Sequence, residues 1–88
     1  MINKTEAIEL VLYERSNQDR KWGYPQHNTP FEWMSILMEE VGELATAMND
    51  TFIGKDSEQD VSKILNEAIQ VSAVALSIIE HYSNNGIS

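Results

Sequence analysis

The sequence contains no cysteine, which rules out disulfide bonds and argues against thiolate metal sites. In a chain of 88 residues this matters, because a small domain has much surface for its volume and no covalent staple here offsets a thin core. Oligomerisation is the expected remedy. Basic residues are scarce as well, six against fourteen acidic ones, and the formal charge of −8 opposes binding to phosphate backbones. Duplex nucleic acid is therefore not an expected partner. The longest strongly apolar stretch, Ala68 to Ile79, is interrupted by Gln70, Ser72 and Ser77 and falls short of the roughly 20 residues a bilayer requires, so no membrane span is expected. No basic, apolar, small-residue leader of the secretory kind is present, and a cytoplasmic location is the expectation. There is no internal repeat, no low-complexity tract and no room for a second core, so residues 1–88 are expected to form one domain.

What is present is helical patterning. Ile2, Ala7, Ile8, Val11 and Leu12 recur at helical rather than alternating spacing, which predicts a first amphipathic helix to about Ser16. Asn17, Gly23, Pro25, Asn28 and Pro30 then predict an ordered loop over residues 16–30. That loop and its border hold Arg15, Arg20 and Lys21, half of the chain's formal positive charges. Thr29 followed by Pro30 suits an N-cap and first helical position, and Glu32 favours the positive end of the helix dipole. The second helix carries a stripe of Met34, Leu37, Met38, Val41, Leu44, Ala45, Met48 and Phe52, expected in the core, and Gly54 is its expected C-cap. Asp56 or Ser57 is the expected cap of a third helix reaching about Ser83. Because that helix is apolar around most of its circumference, a partner subunit is expected to cover part of it, with Ala68, Ser72, Ala73, Ala75 and Ser77 allowing close approach.

The second and third helices also carry carboxylates at telling positions. Glu40 and Glu43 are three residues apart and share a helix face, so both can reach one cation, while Glu39 lies about a quarter turn aside. Ile36 and Ala47 share that face, which predicts half-buried carboxylates whose mutual repulsion needs a raised pKa or a cation. Glu67 and Gln70 repeat the spacing on the third helix beside Val74. Three carboxylates and an amide oxygen form an all-oxygen set suited to Mg²⁺ or Mn²⁺ rather than zinc.

Leu37-Met38 followed by Glu39-Glu40-Val41-Gly42-Glu43-Leu44-Ala45, with a second acidic motif on the next helix, resembles the MazG-like branch of the all-α nucleoside triphosphate pyrophosphohydrolases. The signature of that family is EExxE followed by ExxD. Upstream, Glu14-Arg15, Gln18 and Lys21-Trp22-Gly23 resemble the ER…Q…KWG segment of its small stand-alone members, so the resemblance spans nearly the whole chain. It implies Glu40, Glu43 and Glu67 as metal ligands and Glu39 beside the metal-activated water or a second ion, with Glu39 and Glu40 as the catalytic pair. Gln70 stands where the family has aspartate, and a neutral amide binds Mg²⁺ less strongly. The resemblance also implies Arg15, Gln18, Lys21 and Trp22 as substrate-facing residues, with Arg15 and Lys21 at phosphate and Trp22 either stacked on a base or anchored in the core.

The expected fold is all-α, with three main helices per chain and a helical bundle completed by assembly into a homodimer or homotetramer. The expected activity is hydrolysis of a (deoxy)nucleoside triphosphate to the monophosphate and pyrophosphate. The alternative is a catalytically weak nucleotide-binding or regulatory module. Phe31 and Trp33 are expected to pack at the start of the second helix, and His81 to suit the end of the third without a catalytic role. Gly42 costs a helix about 1 kcal/mol relative to alanine, so close approach by another helix or by substrate is expected there.

Overall fold

Asn3 opens the first helix through a capping box: its side chain accepts from the Glu6 amide at 2.8 Å, and the Glu6 carboxylate accepts from the Asn3 amide at 3.1 Å. The computed structural model describes residues 2–24, 26–52 and 58–85, and they form α1 (Lys4–Trp22), α2 (Pro30–Phe52) and α3 (Glu58–Asn85). Among the described residues there is no strand, and the chain is a three-helix bundle. α1 runs about six residues beyond the expected end at Ser16. No residue between Ser16 and Trp22 is a strong helix breaker, and the helix stops only where Gly23 takes a φ of 88°, which side chains disfavour, and sends its amide to the Asp19 carbonyl. The loop is accordingly shorter than expected, and Arg20 and Lys21 belong to the last helical turn.

Thr29 caps α2 as the sequence suggested, and Glu32 completes a second capping box. The Glu32 amide donates to the Thr29 hydroxyl oxygen at 3.1 Å, and the Thr29 amide donates to the Glu32 carboxylate at 2.8 Å. The caps expected at Gly54 and at Asp56 or Ser57 lie outside the described residues.

α3 packs against both other helices, whereas α1 and α2 do not approach each other. α3 is therefore the middle of the bundle, although Val61, Leu65 and Ile79 remain exposed on it. Ala73 and Ser77 are buried within the chain, where their small side chains permit close packing. As a helix, Val61–Ser83 is also longer and more continuous than the apolar run suggested: by length and a mean hydropathy of 1.3 it could cross a membrane. The same properties suit a helix flanked on two sides by protein.

Among the described residues the apolar core is thin, comprising Trp33, Ala47, Ala73 and Val74. Trp33 meets His81 edge-on at 5.6 Å, and His81 meets Tyr82 at 4.7 Å, so the N-terminal end of α2 is fastened to the C-terminal end of α3 by aromatic contact. Phe31, expected to pack there, is instead exposed. The buried side chains on α1 are Arg15 and Gln18, while Ile8 and Leu12 are exposed; towards the N-terminal end of α1, Ala7, Leu10 and Val11 line an apolar gap against Leu65, Ala68 and Ile69 of α3.

Most of the expected core stripe on α2 stays out of the core. Leu37 and Leu44 are half-buried towards α3, but Met34, Met38, Val41 and Met48 are exposed. The stripe is too wide for one neighbour: these two sets are centred about 65° apart around the helix, and only the first is half-buried.

Candidate metal centre

On α2, each of Glu39, Glu40 and Glu43 offers a carboxylate oxygen, and these atoms all lie within 4.8 Å of one another. Spacing explains the cluster, since Glu40 and Glu43 are one turn apart and Glu39 can reach round from the adjacent position. Glu40 is half-buried as expected; Glu39 and Glu43 are exposed, which corrects the expectation of a wholly half-buried set. Burial pushes the Glu40 carboxyl above its ordinary value, and the charges of Glu43, Glu67, Glu39 and Glu14 push it the same way.

Glu67 approaches from α3, so the two acidic motifs do face each other. Its pKa is raised first by burial, then by its hydrogen-bonding contact with Glu43 and by the charge of Glu43, with Lys63 pulling in the opposite direction. The Glu67 Oε2 atom is buried and has no donor among the described residues. These facts fit together chemically. Two ionised carboxylates have no proton to donate, so Glu43 and Glu67 attract only when they share a proton or a cation.

The donor set suits a hard divalent cation. Two oxygens bound to one ion can be no farther apart than twice the metal–oxygen distance, about 4.2 Å for Mg²⁺ and about 4.6–5.2 Å for Ca²⁺. The 4.8 Å spread of the three α2 carboxylates thus meets the limit for a larger cation, and Mg²⁺ requires a small inward movement that the exposed Glu39 and Glu43 side chains can make.

Beside the cluster lies an open groove of about 520 Å³, lined by Met38, Glu39, Gly42, Glu43, Lys63 and Glu67 together with Thr46 and Ala47. Lys63 brings a cation to the carboxylates, and the sequence reading missed it. The available signal was its position one turn before Glu67 on the same helix.

The remaining expected site residues stand elsewhere. Gln70 does not join the carboxylates but receives a hydrogen bond at 3.5 Å from the buried Gln18 amide, which directs its oxygen towards α1. The Arg15 guanidinium is buried and held by Asp19 at 2.8 Å and Glu80 at 2.7 Å. Burial acts to lower its pKa, and these two carboxylates more than reverse that, so Arg15 stays charged. Lys21 and Trp22 are exposed and lie together, with the Lys21 ammonium 4.9 Å from the indole centroid. The exposure of Trp22 removes the core-anchor alternative. None of these four α1 residues lines the groove, although α1 does send the charge of Glu14 towards Glu40.

Comparison with known protein families, with curated proteins and with solved structures finds no match to this chain. The likeness to MazG-like proteins accordingly rests on the motif residues themselves.

Proposed function

We propose that this chain is a helical module that binds a divalent cation, Mg²⁺ or Mn²⁺, between Glu39, Glu40, Glu43 and Glu67 and, through it, the phosphates of a (deoxy)nucleoside triphosphate, with weak turnover or none. The observation that carries this is the clustering of three carboxylates beside a groove into which Glu67 and Lys63 also project. A bound cation reverses the local field, so that an acidic protein can hold an anionic ligand. Lys63 adds a mobile point charge for a phosphate oxygen. Weak turnover is favoured by the position of Gln70, whose oxygen is engaged by Gln18 where the family motif would place a fourth carboxylate. Arg15 is likewise committed to Asp19 and Glu80.

Calorimetric titration tests this directly. Mn²⁺ should bind the metal-free protein, a non-hydrolysable triphosphate should bind only after it, and Glu40→Gln should lose both steps. Triphosphate binding of equal strength in the presence of a chelator would overturn the proposal.

The second reading is full pyrophosphohydrolase activity, giving the monophosphate and pyrophosphate by attack of water. One observation favours it: Glu40 has a raised pKa and stands among the metal-binding carboxylates, as befits a group that takes a proton from water. A bound divalent cation would polarise the phosphoryl oxygens and acidify that water. In this reading Glu39 and Glu40 would orient it, which their position in the carboxylate cluster supports. Pyrophosphate release from a panel of nucleotides, lost in Glu40→Gln, would favour this reading over the first.

A further inference from the structure

Lys63 is the basic side chain on the groove wall, and the charge around it is unbalanced. Glu39, Glu43 and Glu67 line the same groove and Glu40 stands in the cluster beside them, so one ammonium faces four carboxylates. Other cations are engaged elsewhere: Arg15 with Asp19 and Glu80, Arg20 with Asn17, and Lys21 with the face of Trp22.

Lys63 is attached to this acidic field loosely. The ion pairs found among the described residues both belong to Arg15, so no carboxylate there holds the Lys63 ammonium in direct contact. Its charge nevertheless reaches Glu67, opposing the effects of burial and of Glu43 on that carboxyl. The buried Glu67 Oε2 atom takes no hydrogen bond from it. Helix geometry accounts for the looseness, since a lysine one turn before a glutamate is the weaker order of that pair. The groove also leaves room for a ligand: Gly42 adds no side chain to its wall, and a Cβ there would meet nothing within 4 Å.

We propose that Lys63 is a place-holder for the divalent cation: in the metal-free protein its ammonium balances the groove carboxylates, and when the cation enters it turns to a phosphate oxygen of the bound triphosphate. This exchange rests on the metal reading of the cluster and adds an order of events to it. No covalent bond changes; ionic contacts are traded. A divalent cation coordinates carboxylate oxygens directly, whereas an ammonium offers them only hydrogen bonds and half the charge, so the cation takes the site. Cation and ammonium then repel each other, and the phosphate recruited by the cation is the anion left for Lys63 to meet. Lys63 therefore weakens binding of the metal alone, which must displace it, and strengthens binding of the triphosphate that follows.

Calorimetry with Mn²⁺, and then with a non-hydrolysable triphosphate added to the Mn²⁺-saturated protein, reads both effects. Lys63→Gln should bind Mn²⁺ about 3- to 10-fold more tightly. It should bind the triphosphate about tenfold or more weakly. Arg20→Gln, which removes an exposed cation that does not line the groove, should change neither affinity by more than about twofold. Lys63 is exposed, so its variant should fold, and circular dichroism checks this. Acylation of lysine amines, read by mass spectrometry, follows the movement itself: Lys63 should react faster once Mn²⁺ is added and slower again once the triphosphate follows, while Lys4 keeps one rate. Mn²⁺ binding that is unchanged or weaker in Lys63→Gln, or that tightens equally in Arg20→Gln, overturns the place-holder, as does a Lys63 labelling rate indifferent to both ligands. In those cases Mn²⁺ binding by the wild-type chain, lost in Glu40→Gln, leaves the metal reading standing. A wild-type chain that takes up no Mn²⁺ overturns both.

Discussion

Arg15 ties α1 to α3 through Glu80: its Nε and its Nη2 both stand 2.7 Å from the same carboxylate oxygen, 65 residues further along the chain. Its remaining arm reaches Asp19 on α1. Because Arg15 is buried while Glu80 keeps access to water, the pair contributes to stability without stranding two charges in the interior. Arg15→Ala should destabilise the fold by about 2–3 kcal/mol. Arg15→Lys should recover only part of this loss, since an ammonium cannot reproduce the fork. Urea denaturation followed by circular dichroism measures both, and a neutral Arg15→Ala would mean the clamp is not formed in solution.

Gln70 answers Gln18 rather than the carboxylates. Gln70→Ala leaves the buried Gln18 amide without its acceptor and should cost about 1–3 kcal/mol. The rise in its melting temperature on adding Mn²⁺ should be unchanged. Unaltered stability with a lost metal response would place Gln70 among the ligands instead.

The acidic cluster dictates the pH dependence. Glu40 and Glu67 both have pKa values raised in the folded protein, so the native state holds their protons more tightly than the unfolded chain does. Their contribution to stability is therefore full below the ordinary carboxylate value and is lost as pH rises through the folded values. Without metal, this pair contributes less to stability at about pH 7.5 than at about pH 5. A cation removes the repulsion at the higher pH: at ten times its Kd it should add about 1.4 kcal/mol, a Tm increase of about 6–10 °C for a domain of this size. That increase should shrink towards pH 5 as protons compete for the ligands. In Glu67→Gln it should be largely absent, and the metal-free variant should be more stable than wild type by about 0.5–1.5 kcal/mol, because an amide can donate to Glu43. Differential scanning fluorimetry with chelator and Mn²⁺ reads all of these.

Trp22 is exposed and rests beside Lys21, so Trp22→Ala should change stability by less than about 0.5 kcal/mol. If Trp22 stacks on a base, the same substitution should weaken triphosphate binding about tenfold or more. Titration with a non-hydrolysable nucleotide separates the two effects, and unchanged affinity would remove Trp22 from the binding surface.

The three helices were legible because their periodicity and caps are local signals. Thr29, Pro30 and Glu32 announced the start of α2 within four residues. The end of α1 was misjudged because Ser16 and Asn17 are only weak helix formers, and the stop depends on the backbone of Gly23. At the acidic site, spacing along one helix gave Glu39, Glu40 and Glu43, and motif repetition gave Glu67. The partners of Arg15 and Gln70 were not legible, since Glu80 and Gln18 lie 65 and 52 residues away and only the packing of α1 on α3 brings them together. For the methionines of α2, periodicity marked an apolar face but could not say how much of it one neighbour would cover.

The separation of α1 from α2 bears on the order of assembly. Helices α2 and α3 follow one another directly and share the Trp33 contact, so they can form a two-helix hairpin early in folding. α1 can gain its own place only once the part of α3 that carries Gln70 and Glu80 is formed, and doing so closes a long loop of chain. With a single neighbour and only Arg15 and Gln18 fully buried, α1 is the element expected to dock last and detach first, which would leave the carboxylates of α2 and α3 together.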